Sequence, residues 1–282
     1  MNKNFKDAVY DNERALYNIS DATVENCKFE GPADGESALK ECKNIAVKSC
    51  SFSLRYPLWH VHGFTLDDCA MDVNARAAVW YSTDGRFINS KLGGIKIFRE
   101  CQNISVIGCE ISSFESGWHC ENMSFENCKI LSEYLLLGSK NLTLKNCVLD
   151  GKYPMQYVEN VEIENCEITS KDCLWHAKNV TVRGGVFRGE YLAWYSENLT
   201  LIDCLIEGTQ PLCYCKGLKL INCRTKDCDL AFELSEIDAD IKGEVLSVRS
   251  PLSGKIVLDG VGEIINDVTA YDCKGEVIIR KK

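Results

Sequence analysis

The chain of 282 residues holds five prolines, no Cys-x-x-Cys pair, no basic run and no long apolar segment. Each absence excludes a class. A membrane-spanning helix needs ~18 apolar residues in a row; the longest candidate, Leu135–Leu137, reads as a fragment of a strand. With 32 Lys and Arg against 41 Asp and Glu, the net charge is −9. No positive field exists to hold nucleic acid or an anionic membrane, and neither is expected as a partner. The opening residues Met1-Asn2-Lys3-Asn4-Phe5-Lys6-Asp7 carry lysines without an apolar run behind them, so no signal peptide is expected. A cytoplasmic, thiol-reducing location follows as an expectation. Missing zinc-type cysteine spacing leaves no metal or cofactor to expect.

What is abundant is cysteine: seventeen residues, an odd number that forbids complete internal pairing. Cys109, Cys128, Cys147 and Cys166 follow at intervals of 19, and Cys204 and Cys223 resume after one beat held by Gly185. Upstream, Ser90, Cys69, Cys50 and Cys27 extend the series. Cys42, Cys101, Cys120 and Cys215 form a second, shorter stripe. Six residues before the first stripe stand Asn103, Asn122, Asn141, Asn160, Asn179 and Asn198, joined by Asn44, Gly63, Asp84 and Gly217. Between Asn and Cys runs an alternation such as Leu142-Thr143-Leu144-Lys145, the period of a half-buried strand. A 19-residue period without helical segments is that of a β-solenoid, specifically an all-β parallel β-helix of about 19 residues per turn. The cysteines then pack inward as small apolar side chains, and the Asn column forms a side-chain ladder. One domain is expected: an N-terminal cap over 1–23, regular turns over 24–234, and irregular turns and a cap over 235–282, with strands at Ser250–Leu258 and Glu276–Ile279.

The same register aligns the rest of each turn. Trp59, Trp80, Arg99, Trp118, Gln156, Trp175 and Trp194 fall in one column, which thus holds every tryptophan. The next column reads His60, Tyr81, Glu100, His119, Tyr157, His176, Tyr195 and Tyr214. Beside them lie Tyr56, Tyr134, Tyr153 and Tyr191, and then Arg55, Arg76, Lys152 and Lys171. Trp and Tyr present flat apolar faces with polar tips, a match for sugar rings, while Arg or Lys would hold an acidic group. The alternative is a packing ladder, since aromatics stack in any β column. Alternation breaks in this stretch, so a bend or bulge is expected there. Candidate ligand-binding residues are Trp59, His60, Trp80, Tyr81, Trp118, Tyr157, Trp175, His176, Trp194 and Tyr195.

Stacking limits the chemistry. His60, His119 and His176 are three turns apart, roughly 14 Å from one to the next, too far to share a metal. Glu100 falls beneath His119, and Arg99 between Trp80 and Trp118, as a cation–π stack would require. Glu100, His119 and Arg99 are the catalytic candidates, as an acid–base set, against the alternative of a structural ion pair.

Five segments, Leu54–His60, Gly151–Val161, Trp175–Val182, Gly189–Ser196 and Gly208–Cys215, carry a resemblance to a known family. Examples are Leu54-Arg55-Tyr56-Pro57-Leu58-Trp59-His60 and Gly189-Glu190-Tyr191-Leu192-Ala193-Trp194-Tyr195-Ser196. The chain closely resembles the bacterial domain-of-unknown-function 3737 family over essentially its whole length. The resemblance implies a right-handed β-helix of the pectin-lyase-like superfamily and supplies no reaction, substrate or catalytic residues. The pectate lyase and polygalacturonase patterns of that superfamily are missing. Asp67-Asp68 is the only Asp-Asp pair, and no column stacks Asp on Asp. If the chain is an enzyme, it acts on a poly- or oligosaccharide as a lyase or hydrolase without those motifs. The leading expectation is an oligosaccharide ligand bound along the aromatic strip, with processing of that ligand there as the enzymatic form of the same expectation. The alternative is a non-catalytic scaffold that contacts a protein or forms a homo-oligomer through it.

Overall fold

The computed structural model describes residues 3–31 and 36–281, and among these no residue is helical. Strands are parallel and stack as a β-solenoid with turns about 19 residues apart. Backbone contacts divide the chain into two compact units, 1–143 and 144–282.

In the first unit, strands Ser20–Glu25, Lys43–Lys48, His62–Asp67, Thr83–Ile88, Gln102–Ile107 and Glu121–Glu126 lie side by side in parallel. Ile45, Phe64, Ile104 and Met123 are buried along this face, as the alternation requires. A second row includes Ser51–Ser53, Ala70–Met71, Lys91–Leu92 and Glu110–Glu115. The third row is short: Leu58–Trp59, Val79–Trp80 and Phe98–Arg99. Lys3–Lys6 pairs in register with Ala22–Glu25, and Val9–Tyr10 with Lys28–Phe29. The repeat therefore begins well before Val24, and part of the expected cap is an ordinary turn.

In the second unit, Glu159–Glu164, Lys178–Arg183 and Glu197–Ile202 pair at the same spacing. Beyond Glu236 the spacing changes: Glu236 pairs with Ser253 and Lys255 with Glu276. Strands form at Ser253–Leu258 and Glu276–Ile279, where the pattern placed them.

Both corners of each turn need a left-handed residue, and the sequence supplies the types that tolerate it. Asn103, Asn122, Asn179 and Asn198 have φ of 54–56°, and their amides link in a ladder, for instance Asn122 to Asn103 at 2.9 Å and Asn198 to Asn179 at 3.1 Å. A second such column, Asn26, Asn89, Asn127, Asn165 and Asn222, sits one residue before the cysteines. That column explains why cysteine follows. The left-handed corner turns the chain, and the next side chain points into the core.

Sixteen of the seventeen cysteines are buried free thiols, with Cys273 half-exposed. Their role is wider than filling space. The amide of Cys27 donates to Cys50 Sγ at 3.3 Å, and that of Cys101 to Cys120 Sγ at 3.4 Å. Thiols of the ladder donate back to the carbonyl two residues earlier, as from Cys27 to Glu25 at 3.3 Å and Cys50 to Lys48 at 3.1 Å. The position thus needs a short side chain with a lone pair and a proton, or a corner amide would be buried without a partner. Serine does the same: Cys69 N donates to Ser90 Oγ at 3.0 Å, and Cys120 N to Ser139 Oγ at 2.8 Å. Gly185 takes the skipped beat with φ +92°, where a Cβ would lie 2.3 Å from the Cys166 carbonyl oxygen.

Candidate functional site

Two aromatic columns dominate the surface, one in each unit. In the first, Trp59 and Trp80 stack nearly parallel, centroids 5.3 Å apart. Lys40 lies over the Trp59 ring at 5.5 Å. Arg99 lies 5.0 Å from the Trp80 centroid and 5.4 Å from that of Trp118, the sandwich the sequence predicted. The column reads Lys40–Trp59–Trp80–Arg99–Trp118. The facing rings cover one another, so ring edges rather than faces meet solvent. These residues are half-buried.

The indole N–H groups are also committed. Trp80 donates to Lys96 O at 2.7 Å, Trp118 to Tyr134 O at 2.9 Å, and Trp59 to Ala77 O at 2.7 Å. In the second unit Trp194 donates to Gln210 O at 2.7 Å, and Gln156 replaces an indole with its amide, reaching Asp172 O at 3.5 Å. Every acceptor is the carbonyl of a residue with left-handed φ, from 46 to 62°. The column thus braces each corner to the turn that follows. Trp175 departs from this rule: its Nε1 is buried without a hydrogen-bond partner. Its ring lies within 13° of parallel to His176, whereas the indole of Trp194 stands at 79° to Tyr195.

In the second unit the prominent column is Tyr157–His176–Tyr195–Tyr214, with successive centroids 5.1, 5.0 and 4.7 Å apart and planes within 11°. Tyr157 is 57% and Tyr195 41% exposed. Burial between the rings holds the His176 imidazole below its ordinary 6.5. Tyr214 sits against buried Glu233, and desolvation with that carboxylate pushes its phenol up to about 12. Arg249 pairs with Glu233 at 3.2 Å and with Asp267 at 2.9 Å, closing the end of this network.

These stretches are turns for the most part, which corrects two expectations. Leu135–Leu137 lies in a turn, not a strand, and the strip rests on a sheet only at the two-residue strands of the first unit. Alternate residues take positive φ, as at Tyr153, Met155 and Tyr157, or Tyr191, Ala193 and Tyr195. Each such residue rotates the chain, so Pro154, Met155 and Gln156 are buried consecutively. That is the bend the broken alternation required.

The catalytic candidates fall on neighbouring turns. Glu100 and His119 are both exposed, yet neither a hydrogen bond nor an ion pair joins them, and the Arg99 guanidinium is held between indoles. His119 packs on Gly138, where a Cβ would lie 2.8 Å from Nδ1. His60 tilts against Tyr81 at 5.1 Å, and His62 bonds Thr83 at 3.0 Å.

The sequence reading missed a groove beside the first column. It has a volume of about 250 Å³ and is lined by Arg55, Tyr56, Trp59, Arg76, Ala77, Trp80, Ile95 and Lys96. Its signal was present in the sequence, since Arg55, Tyr56 and Arg76 stand in adjacent columns. The wider 21-residue turn, already visible in the step from Cys69 to Ser90, recurs in the pairing of His62 with Thr83; the space it borders could not be read from the spacing. Arg55 pairs with Glu36 and Lys96 with Glu115, both at 3.5 Å. In the second unit, by contrast, a void lined by Ile168, Cys173, Phe187 and Leu192 has about 10 Å³, room for one water at most.

The crystal structure of PfbA, a surface adhesin of Streptococcus pneumoniae, matches with a TM-score of 0.49 at 9% identity, covering 92% of this chain and 83% of that one. A likeness that distant carries no functional information. A search of curated proteins found no match. The family model described as "Protein of unknown function (DUF3737)" matches residues 3–279, and the chain belongs to that family.

Proposed function

We propose that this protein is a carbohydrate-binding β-solenoid, acting by recognition and not by catalysis, with its ligand in the groove of the first unit. The supporting observation is the groove itself. It is open to solvent at about 250 Å³, a little under the usual size of a small-ligand site, with aromatic edges fixed in place by indole hydrogen bonds and three cationic side chains around it. A sugar there meets ring edges, the Tyr56 hydroxyl and guanidinium donors. The covered indole faces are not stacking platforms. Glu36 and Glu115, the carboxylates that pair with two of the lining cations, are engaged in those ion pairs. A free acid and base flanking a glycosidic bond are what hydrolysis needs.

A second reading rests on a different observation. The exposed Tyr157–His176–Tyr195 stack resembles the rigid aromatic anchors of protein interfaces. It would serve a partner protein or a second copy of the chain.

An oligosaccharide panel read by thermal shift and by ligand-observed NMR tests the groove. Binding should weaken at least fivefold in Tyr56→Ala and persist in Tyr195→Ala. No binder across a broad panel, or equal binding by Tyr56→Ala, would sink the carbohydrate reading.

A further inference from the structure

We infer that the groove selects an oxyanion carried on a sugar ring (a sulfate, phosphate or carboxylate) and that Arg76 is its anchoring cation. This rests on the carbohydrate reading above and adds the ligand's charge class. The chain as a whole repels anions, with a net charge of −9. The groove inverts that locally: Arg55, Arg76 and Lys96 line it, and no carboxylate does.

Elsewhere, several surface cations along the solenoid are neutralised by an acid on the adjoining turn. Lys6 pairs with Glu25 at 2.6 Å, Lys178 with Glu197 at 3.4 Å, and Arg188 with Glu207 at 3.4 Å. Lys171 pairs with Glu190 at 3.4 Å in the very column that holds Arg76. In the first unit that column runs Glu36, Arg55, Arg76, Ile95, as the pairing of Glu36 with Arg55 and of Val79 with Leu58 and Phe98 sets it. Glu36 neutralises Arg55. Arg76 then has a second guanidinium on one side and Ile95 on the other. It is exposed, and its side chain makes no hydrogen bond or ion pair among the described residues.

Two like charges at facing ladder positions destabilise the turn, and a bound anion would relieve that repulsion. Guanidinium presents parallel N–H donors that match the paired oxygens of carboxylate, sulfate or phosphate. Lys96, whose own pair with Glu115 is 3.5 Å long, adds charge from the next turn. The edges of Trp59 and Trp80 and the Tyr56 ring then border the sugar body.

Isothermal titration with four matched oligosaccharides tests this: neutral, sulfated, phosphorylated and uronate forms, with inorganic sulfate beside them. The acidic forms should bind at least tenfold tighter than the neutral one, with the advantage shrinking as salt rises. Arg76→Gln should abolish that advantage, leaving acidic and neutral forms with equal affinity, while Lys91→Gln, a cation outside the groove, should alter nothing. The three acidic forms separate the sources of the anion. Equal affinity for neutral and acidic forms, or an advantage surviving in Arg76→Gln, would overturn the inference while the carbohydrate reading stands. Sulfate that binds the wild type but not Arg76→Gln, with no saccharide bound, would retain the anion site and overturn the carbohydrate reading. A urea midpoint for Arg76→Gln at or slightly above that of the wild type, as relief of the repulsion requires, shows that the fold is intact.

Discussion

The two aromatic columns are built from the same register and end up different. In residues 1–143 the tryptophans form short strands, stack face to face with Arg99 interleaved, and turn their N–H groups onto corner carbonyls. The polar surface lies beside that column, in the groove at Arg55, Tyr56 and Arg76. In residues 144–282 the stacked set is Tyr157, His176, Tyr195 and Tyr214, and it is the more exposed of the two. Column membership alone therefore does not set function. Ring faces are stacked in both columns; the indoles also spend their N–H groups and hold turns together, whereas Tyr157 and Tyr195 stay exposed and can meet a partner.

Both units share the thiol ladder, so a stress on the thiols should not distinguish them. Burial raises Cys42 and Cys109 in the first unit to about 11, and Cys215 and Cys228 in the second to about 12 and 11, from an ordinary 9.0. Between those values the unfolded chain has lost protons that these four thiols keep in the folded chain, so the stability they contribute falls as pH rises above 9. Urea unfolding across that range, followed by Trp fluorescence and by far-UV circular dichroism, should show both signals shifting to lower urea. A flat profile would mean that the thiols ionise freely in the folded chain.

Truncation should then separate the columns. Trp80→Ala removes a stack on Trp59, a cation–π contact with Arg99 and a hydrogen bond to Lys96; the loss should be about 3 kcal/mol. Tyr195→Ala removes an exposed ring from between His176 and Tyr214 and should cost about 1 kcal/mol. Denaturation midpoints measure both. Equal losses would erase the distinction between a brace and an exposed stack.

Much of this was legible in the sequence, and the reasons are local. A 19-residue spacing of Cys and Asn admits only stacked parallel turns, and it fixed the strands, the Asn ladder and the place of Arg99 between Trp80 and Trp118. The broken alternation around Met155 announced a bend, but not that alternate residues would adopt left-handed φ. That geometry, absent from any residue count, turned Leu135–Leu137 into a corner and the indole N–H groups toward carbonyls. The cysteine position read as small and apolar; that it also accepts a corner amide shows only in the distances, with Ser90 and Ser139 as the hint. The first turn at Lys3–Lys6 was hidden because Ala8 stands where the later turns carry cysteine.

The most direct test of the brace is the loss of one indole N–H with the ring retained. Trp118→Phe removes the bond to Tyr134 O, and should lower stability by about 1 kcal/mol while leaving groove ligands bound as before. Trp175→Phe removes an N–H that is buried without a partner, and should leave stability unchanged or slightly raised. Paired urea titrations with ligand binding on both variants read this difference. Equal midpoints for the two, together with loss of ligand in Trp118→Phe, would contradict the structural role of the column and return it to the ligand.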